Sequence, residues 1–259
     1  MLHSYTYKPE PIFHIRSSEG ENKRFYGLEL ETDEGHDCNE YTDAIDALNL
    51  PLYCKYDGSL GYGGVEIVTH PCTLSYLRYD MRFRLLGRVA KRFGYKADTT
   101  DTCGYHIHVS REGLGDTPLE RRQTAAKLVL LVDAVWDTLV KFTRREVCEL
   151  NHWAPRPYIP AGTGALVTVA LRQGGQGSPD HSDRYTAVNL TNEHTVEFRV
   201  FRGTLKRDTI IAAVELVDNM CRYAMAHTPT ECHRATWADI VGVESYKELN
   251  EYCVGLGIA

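Results

Sequence analysis

The sequence has no block of lysine and arginine, no C-x-x-C pair and no apolar run of membrane-spanning length, and each absence closes off a class of function. A chain of formal charge −6 without a basic tract repels phosphate backbones, so nucleic acid is a poor partner. The eight cysteines, among them Cys38, Cys103 and Cys253, are scattered, which suits reduced core thiols and neither a zinc knuckle nor a redox pair. The opening residues through Arg16 are polar and aromatic and lack the apolar stretch of a secretory signal. The expectation is a cytoplasmic protein with no membrane partner. Glycines cluster at Asp57-Gly-Ser-Leu-Gly-Tyr-Gly-Gly64, but Gly-Lys-Ser/Thr is missing and the segment leads into a strand, so neither a Walker nor a Rossmann reading holds.

What is present is an ordinary globular composition, 43% hydrophobic and 25% charged, enough to bury a sizeable core. No compositional seam divides it, so residues 1–259 read as one domain. An apolar stripe through Leu74, Leu77, Met81, Leu85, Val89 and Phe93, ended by Gly94, predicts one helix. Thr117-Pro118-Leu119-Glu120 places a capping hydroxyl, an N1 proline and a glutamate ahead of Leu128, Leu131, Val135, Leu139 and Phe142, predicting a long second helix. A third is expected from Asp208 as N-cap, through Ile211, Val214, Val217, Cys221 and Ala224, and a short one near Cys38–Leu48.

Alternating segments predict strands at Phe25–Glu31, Val65–His70, Tyr105–Ser110, Thr186–Leu190 and Thr195–Phe201, the last two joined as a hairpin through Asn192-Glu193-His194. The fold class is therefore α+β, with a mainly antiparallel sheet. Sorting each strand by its two-residue period gives one apolar face and one polar face every time. Tyr26, Leu28 and Leu30 oppose Glu29 and Glu31, and Val65 and Ile67 oppose Glu66 and His70. Tyr105, Ile107 and Val109 oppose His106 and His108, while Val196, Phe198 and Val200 oppose Glu197 and Arg199.

A lone Glu-x-Glu is ordinarily a solvated face, and a lone His-x-His is as readily structural as functional. Repetition on strand after strand is different, because glutamates converging on one surface repel unless a cation neutralises them. Carboxylates with an occasional imidazole suit Mg²⁺ or Mn²⁺. Asp57, in its glycine-rich turn, is a further candidate ligand.

In order along the chain, Gly27-Leu-Glu29-Leu-Glu31, Asp57-Gly-Ser-Leu with Glu66-Ile-Val-Thr, Cys103-Gly-Tyr-His106-Ile-His108, and Thr195-Val-Glu197-Phe-Arg199-Val-Phe-Arg-Gly-Thr204-Leu resemble the amidoligase family, relatives of glutamine synthetase and glutamate–cysteine ligase. The resemblance implies a curved sheet like the glutamine synthetase catalytic domain, with helices on one face and ATP and two or three divalent ions on the concave face. It implies metal ligation by Glu29, Glu31, Asp57, Glu66 and Glu197, with His106 turned to metal or phosphate and His108 on the nucleotide side. Arg199 would face the transferring phosphoryl group, and Arg184 and Asn189 would contact phosphate or substrate. The implied reaction joins a small-molecule or peptide carboxylate to an amine through an acyl phosphate. A metal-dependent phosphohydrolase and a non-catalytic ATP-binding module remain rival readings. The loop Arg172–Asp183 reads as a lid or a plain surface loop, and Asn151–Gly164 as a pocket wall or packing.

Overall fold

The computed structural model describes residues 1–18, 24–160, 162, 164–175 and 184–258, and the chain folds as two compact units. The first comprises Met1–Ile107 and Arg202–Ile211; the second comprises His108–Phe201 and Ala212–Ala259.

In the first unit lie β1 (Leu2–His3), β2 (Tyr26–Thr32), α1 (Cys38–Asp46), β3 (Leu52–Lys55), β4 (Val65–Thr69), α2 (Leu74–Tyr79) and α3 (Phe83–Arg92). Strand β5 (Gly104–Ser110) begins there and is one continuous strand across the division. The order is β1-β3-β4-β2-β5, with β1 parallel to β3 and β4 antiparallel to both β3 and β2. Tyr26, Leu28, Leu30, Val65 and Ile67 are almost completely buried, as their period predicts. The single helix expected from Leu74 to Phe93 is instead two. Arg82 stands in the left-handed region (φ 42°) and its guanidinium donates to Leu48 O at 2.7 Å, which breaks the helix while Met81 stays in the core.

The second unit continues with α4 (Pro118–Ala134), α5 (Trp136–Thr143), α6 (Val147–Trp153), α7 (Leu166–Gln173), β6 (Val188–Asn189), β7 (Thr195–Arg202) up to Phe201 and α8 (Arg207–Ala226) from Ala212 on. It ends with α9 (Pro229–His233), α10 (Trp237–Val241) and α11 (Lys247–Leu256). Its strand order is β5-β7-β6, and β6 and β7 pair antiparallel with Asn189 opposite Glu197. The mixed sheet thus has seven strands among the described residues, and with its helices makes the α+β class expected.

The capping box on α4 forms as its sequence predicts: Thr117 Oγ1 accepts from Glu120 N, and Glu120 Oε2 accepts from Thr117 N. That helix stops at Val135, however, and α5 carries Leu139 and Phe142 as a separate piece. The third helix starts at Arg207, so Asp208 is not the cap but an acid in the first turn, where it favours the dipole. Its buried Glu215 and Asn219 anchor the C-terminal helices: Glu215 Oε2 accepts from Leu249 N at 2.8 Å, and Asn219 Nδ2 donates to Val241 O and Glu244 O. No described helix is long and apolar enough to cross a membrane. All eight cysteines are free thiols; six are buried, Cys38 is half-buried and Cys148 is exposed.

Candidate functional site

The polar face of the first unit is built by register. Lys55 on β3 lies opposite Glu66 on β4, which lies opposite Glu31 on β2, so three charged side chains stand in one row on one side of the sheet. Glu29, two residues before Glu31, shares that side. His106 on β5 comes to both: its Nδ1 is 3.1 Å from Glu29 Oε2, and its Nε2 is 3.9 Å from Glu31 Oε1. Glu31 Oε2 also accepts from the backbone N–H of Gly104.

Three carboxylates in so small a space are not at ease. Glu66 is only 1% exposed, and burial first, then the Glu29 charge, pushes its carboxyl well above the ordinary glutamate range in spite of Lys55. Lys55, with Nζ 3.1 Å from Glu66 Oε2, feels opposing pulls: burial draws its pKa down, but Glu66 and Glu29 together raise it. The donor set, oxygen-rich with one imidazole and short of positive charge, fits Mg²⁺ or Mn²⁺. Nothing in the chain's pattern marks Lys55, because Leu52-Tyr-Cys-Lys55 is too short and too irregular to read as a strand.

Asp57 lies in the turn between β3 and β4. Its Oδ1 accepts from Ser59 N at 2.7 Å and Ser59 Oγ at 2.6 Å, so the carboxylate closes an Asx turn at the surface. The turn is fastened from below by Asp33, whose Oδ2 accepts from Gly61 N and from Thr102 Oγ1, both at 2.8 Å, and by Tyr95, whose hydroxyl donates to Gly63 O at 2.8 Å. A Cβ on Gly64 would meet Leu60 Cβ at 2.5 Å, and Gly63 sits at φ 83°, so the glycines serve the turn's backbone. Tyr62 at the tip is fully exposed.

The polar face of the second unit centres on Glu197, 4% exposed. Arg199 Nη1 donates to its Oε1, while Asn189 Nδ2 (2.7 Å) and Asn192 Nδ2 (3.2 Å) donate to its Oε2. A ring nitrogen of His108 and a carboxylate oxygen of Glu197 lie within 4.8 Å of each other, and His108 Nδ1 is 3.1 Å from Thr195 Oγ1. Arg184 and Arg199 meet on one ring: their guanidinium carbons lie 5.0 Å and 5.7 Å from the centroid of Tyr185, which Trp153 contacts edge-on at 5.7 Å.

The candidate site residues are thus placed, unit by unit. Glu29, Glu31, Glu66 and His106 gather with Lys55 in the first unit, where Asp57 occupies the neighbouring turn. Glu197, Asn189, Arg199 and His108 gather in the second, and Arg184 joins through Tyr185. Of the expected lid, 172–175 are the end of α7 and its following turn, and 176–183 lie outside the described residues. Residues 151–153 of the expected pocket loop are the last of α6, and 161 and 163 are likewise outside.

No curated protein matches the chain by sequence. Among solved structures it is similar to the complex between prokaryotic ubiquitin-like protein Pup and its ligase PafA, at 10% identity and a TM-score of 0.34, over 82% of this chain and 50% of that one. The chain therefore spans half the length of that neighbour, a likeness too slight to carry function. The family model described as "Putative amidoligase enzyme" matches residues 14–221, a stretch that contains every polar-face residue from Glu29 to Arg199. By that match over most of its length, the chain belongs to the amidoligase family.

Proposed function

We propose that this protein is an ATP-dependent carboxylate–amine ligase, with residues 1–259 forming a single catalytic domain. It would activate a small-molecule or peptide carboxylate as an acyl phosphate and pass the acyl group to an amine. The observation that supports the reading best is the Lys55–Glu66–Glu31 row with Glu29 and His106 beside it, a nearly buried carboxylate face that needs cations. Glu29, Glu31, Asp57, Glu66 and Glu197, with His106, would hold two or three Mg²⁺ or Mn²⁺ ions, which when bound supply charge neutralisation and alignment of phosphate oxygens.

The chain's own groups have separate tasks. Arg199, kept in place by Glu197 and by Arg145 Nη1 donating to its carbonyl at 2.9 Å, would stabilise charge on the phosphoryl oxygens as they migrate. Asn189 fixes Glu197 and so the direction in which Arg199 points. His108 would face the nucleotide, and Arg184, beside Arg199 on the Tyr185 ring, would hold the carboxylate or a phosphate.

The test is a paired screen of carboxylates and amines followed by ADP release, with hydroxylamine replacing the amine. A ligase gives a hydroxamate, because hydroxylamine intercepts the activated acyl group. ATP hydrolysis indifferent to every carboxylate supplied would point to a phosphohydrolase, and nucleotide retained without turnover to a binding module.

A further inference from the structure

The carboxylates of the first unit's polar face have partners of different kinds. Glu31 is approached by the backbone N–H of Gly104 and by His106, and Glu29 by the same imidazole, while Glu66 has the Lys55 ammonium 3.1 Å from its Oε2. Lys55 has a second hold within reach, since its Nζ lies 5.8 Å from the ring centroid of Tyr5. Four rotatable bonds let an ammonium travel between two such positions, as a guanidinium gripping two oxygens would not.

We propose that Lys55 is a tethered counter-ion of Glu66 that competes with a divalent ion for the same carboxylate. The inference rests on the reading that this face takes divalent cations. In the ion-free protein the ammonium stands against Glu66 Oε2. A divalent ion on Glu66 Oε2 would stand within a few ångströms of the ammonium in a half-buried setting, where like charges repel far more than in water. The two cations therefore exclude each other, and the ammonium withdraws toward Tyr5 as the ion enters. Such a contact is poorly suited to holding the fold: buried ion pairs add little net stability, and the β3–β4 ladder already secures the strands. Its effect is to weaken ion binding at Glu66 below what the bare carboxylates would give.

Mn²⁺ titrated into the nucleotide-free protein, with free Mn²⁺ followed by electron paramagnetic resonance, tests this directly. Lys55→Met is expected to bind Mn²⁺ on the order of tenfold tighter than the native chain, the scale of a typical coupling between two sites. Lys55→Arg, which keeps the charge, should stay near the native affinity, and the gain should vanish in Lys55→Met/Glu66→Gln. In the native protein, acetylation of Lys55 by acetic anhydride, with acetate as the leaving group, read by mass spectrometry, should rise when Mn²⁺ is saturating. A folded Lys55→Met protein that binds Mn²⁺ no tighter than the native chain overturns the competition, as does Lys55 labelling indifferent to Mn²⁺ should that variant not fold. If no form of the protein binds Mn²⁺, with or without nucleotide, the failure lies with the ion reading itself, and the role of Lys55 falls with it.

Discussion

Arg199 and Glu197 stand two residues apart on the same side of β7, with the guanidinium donating directly to the carboxylate. A guanidinium held this way is oriented before any substrate arrives, so it can act on charge that develops only in the transition state. Arg199→Ala should therefore lower kcat on the order of 10²-fold while changing the Kd for Mg·ATP much less. Lysine should rescue partly, since a point charge cannot reproduce the planar fork. Steady-state kinetics beside calorimetry separates the two effects, and near-normal turnover in Arg199→Ala would remove it from the chemistry.

Removing a carboxylate should weaken the dependence of nucleotide binding on divalent ions. With Glu29→Gln or Glu66→Gln, the ATP affinity measured in Mg²⁺ should fall toward the value measured in EDTA. Calorimetry of the native chain giving one affinity in both conditions would count against the carboxylate face as an ion site.

Asp33 holds the turn that carries Asp57 through Gly61 N and Thr102 Oγ1, and Asp33→Ala leaves both donors without that partner. The turn should loosen, and chymotrypsin should cut after the exposed Tyr62 several times faster than in the native protein, on the usual relation between local opening and proteolysis. Unchanged cleavage at Tyr62 in the Asp33→Ala protein would show that the turn is held by other means.

Acid should act on the helix ends. Glu120, Glu231 and Asp239 all have carboxyls held below their ordinary range, the first two chiefly by the backbone N–H groups of Thr117 and Thr228, and Asp239 chiefly by the Thr236 hydroxyl. A depressed folded-state pKa contributes stability above the unfolded-state value and loses it as pH falls through the folded-state value. Helicity at the starts of α4, α9 and α10 should thus decline as acid moves below the ordinary carboxylate range. Glu120→Gln should melt earlier than the native chain at neutral pH and with it in strong acid. A melting difference that persists unchanged into acid would contradict the assignment.

How far each segment is legible in the sequence depends on the physics that shapes it. Period two in Tyr26-Gly-Leu-Glu-Leu-Glu31 and in Thr195–Phe201 marks both the strands and the sides on which Glu29, Glu31, Glu197 and Arg199 project, because alternation is a property of the chain alone. The break at Arg82 is hidden, since an arginine carries no mark of a left-handed conformation that tertiary contacts impose. The small C-terminal helices, absent from the expected elements, do carry a local signal: Thr228-Pro-Thr-Glu231 and Thr236-Trp-Ala-Asp239 are capping boxes of the same kind as the one that starts α4. Lys55 is the instructive omission at the site. Only its register with Glu66, a long-range pairing, makes it part of the polar face.

The distribution of thiols has a practical side. Cys148, on α6, is the exposed one of the eight, and six of the others are shut in the core. A maleimide dye offered briefly at neutral pH should therefore attach mainly at one address, five residues along the same helix from Trp153, whose indole touches the ring shared by the two arginines. The native chain thus carries its own labelling position on the helix that ends in Trp153, and a dye there reports on that helix by fluorescence without altering a single residue.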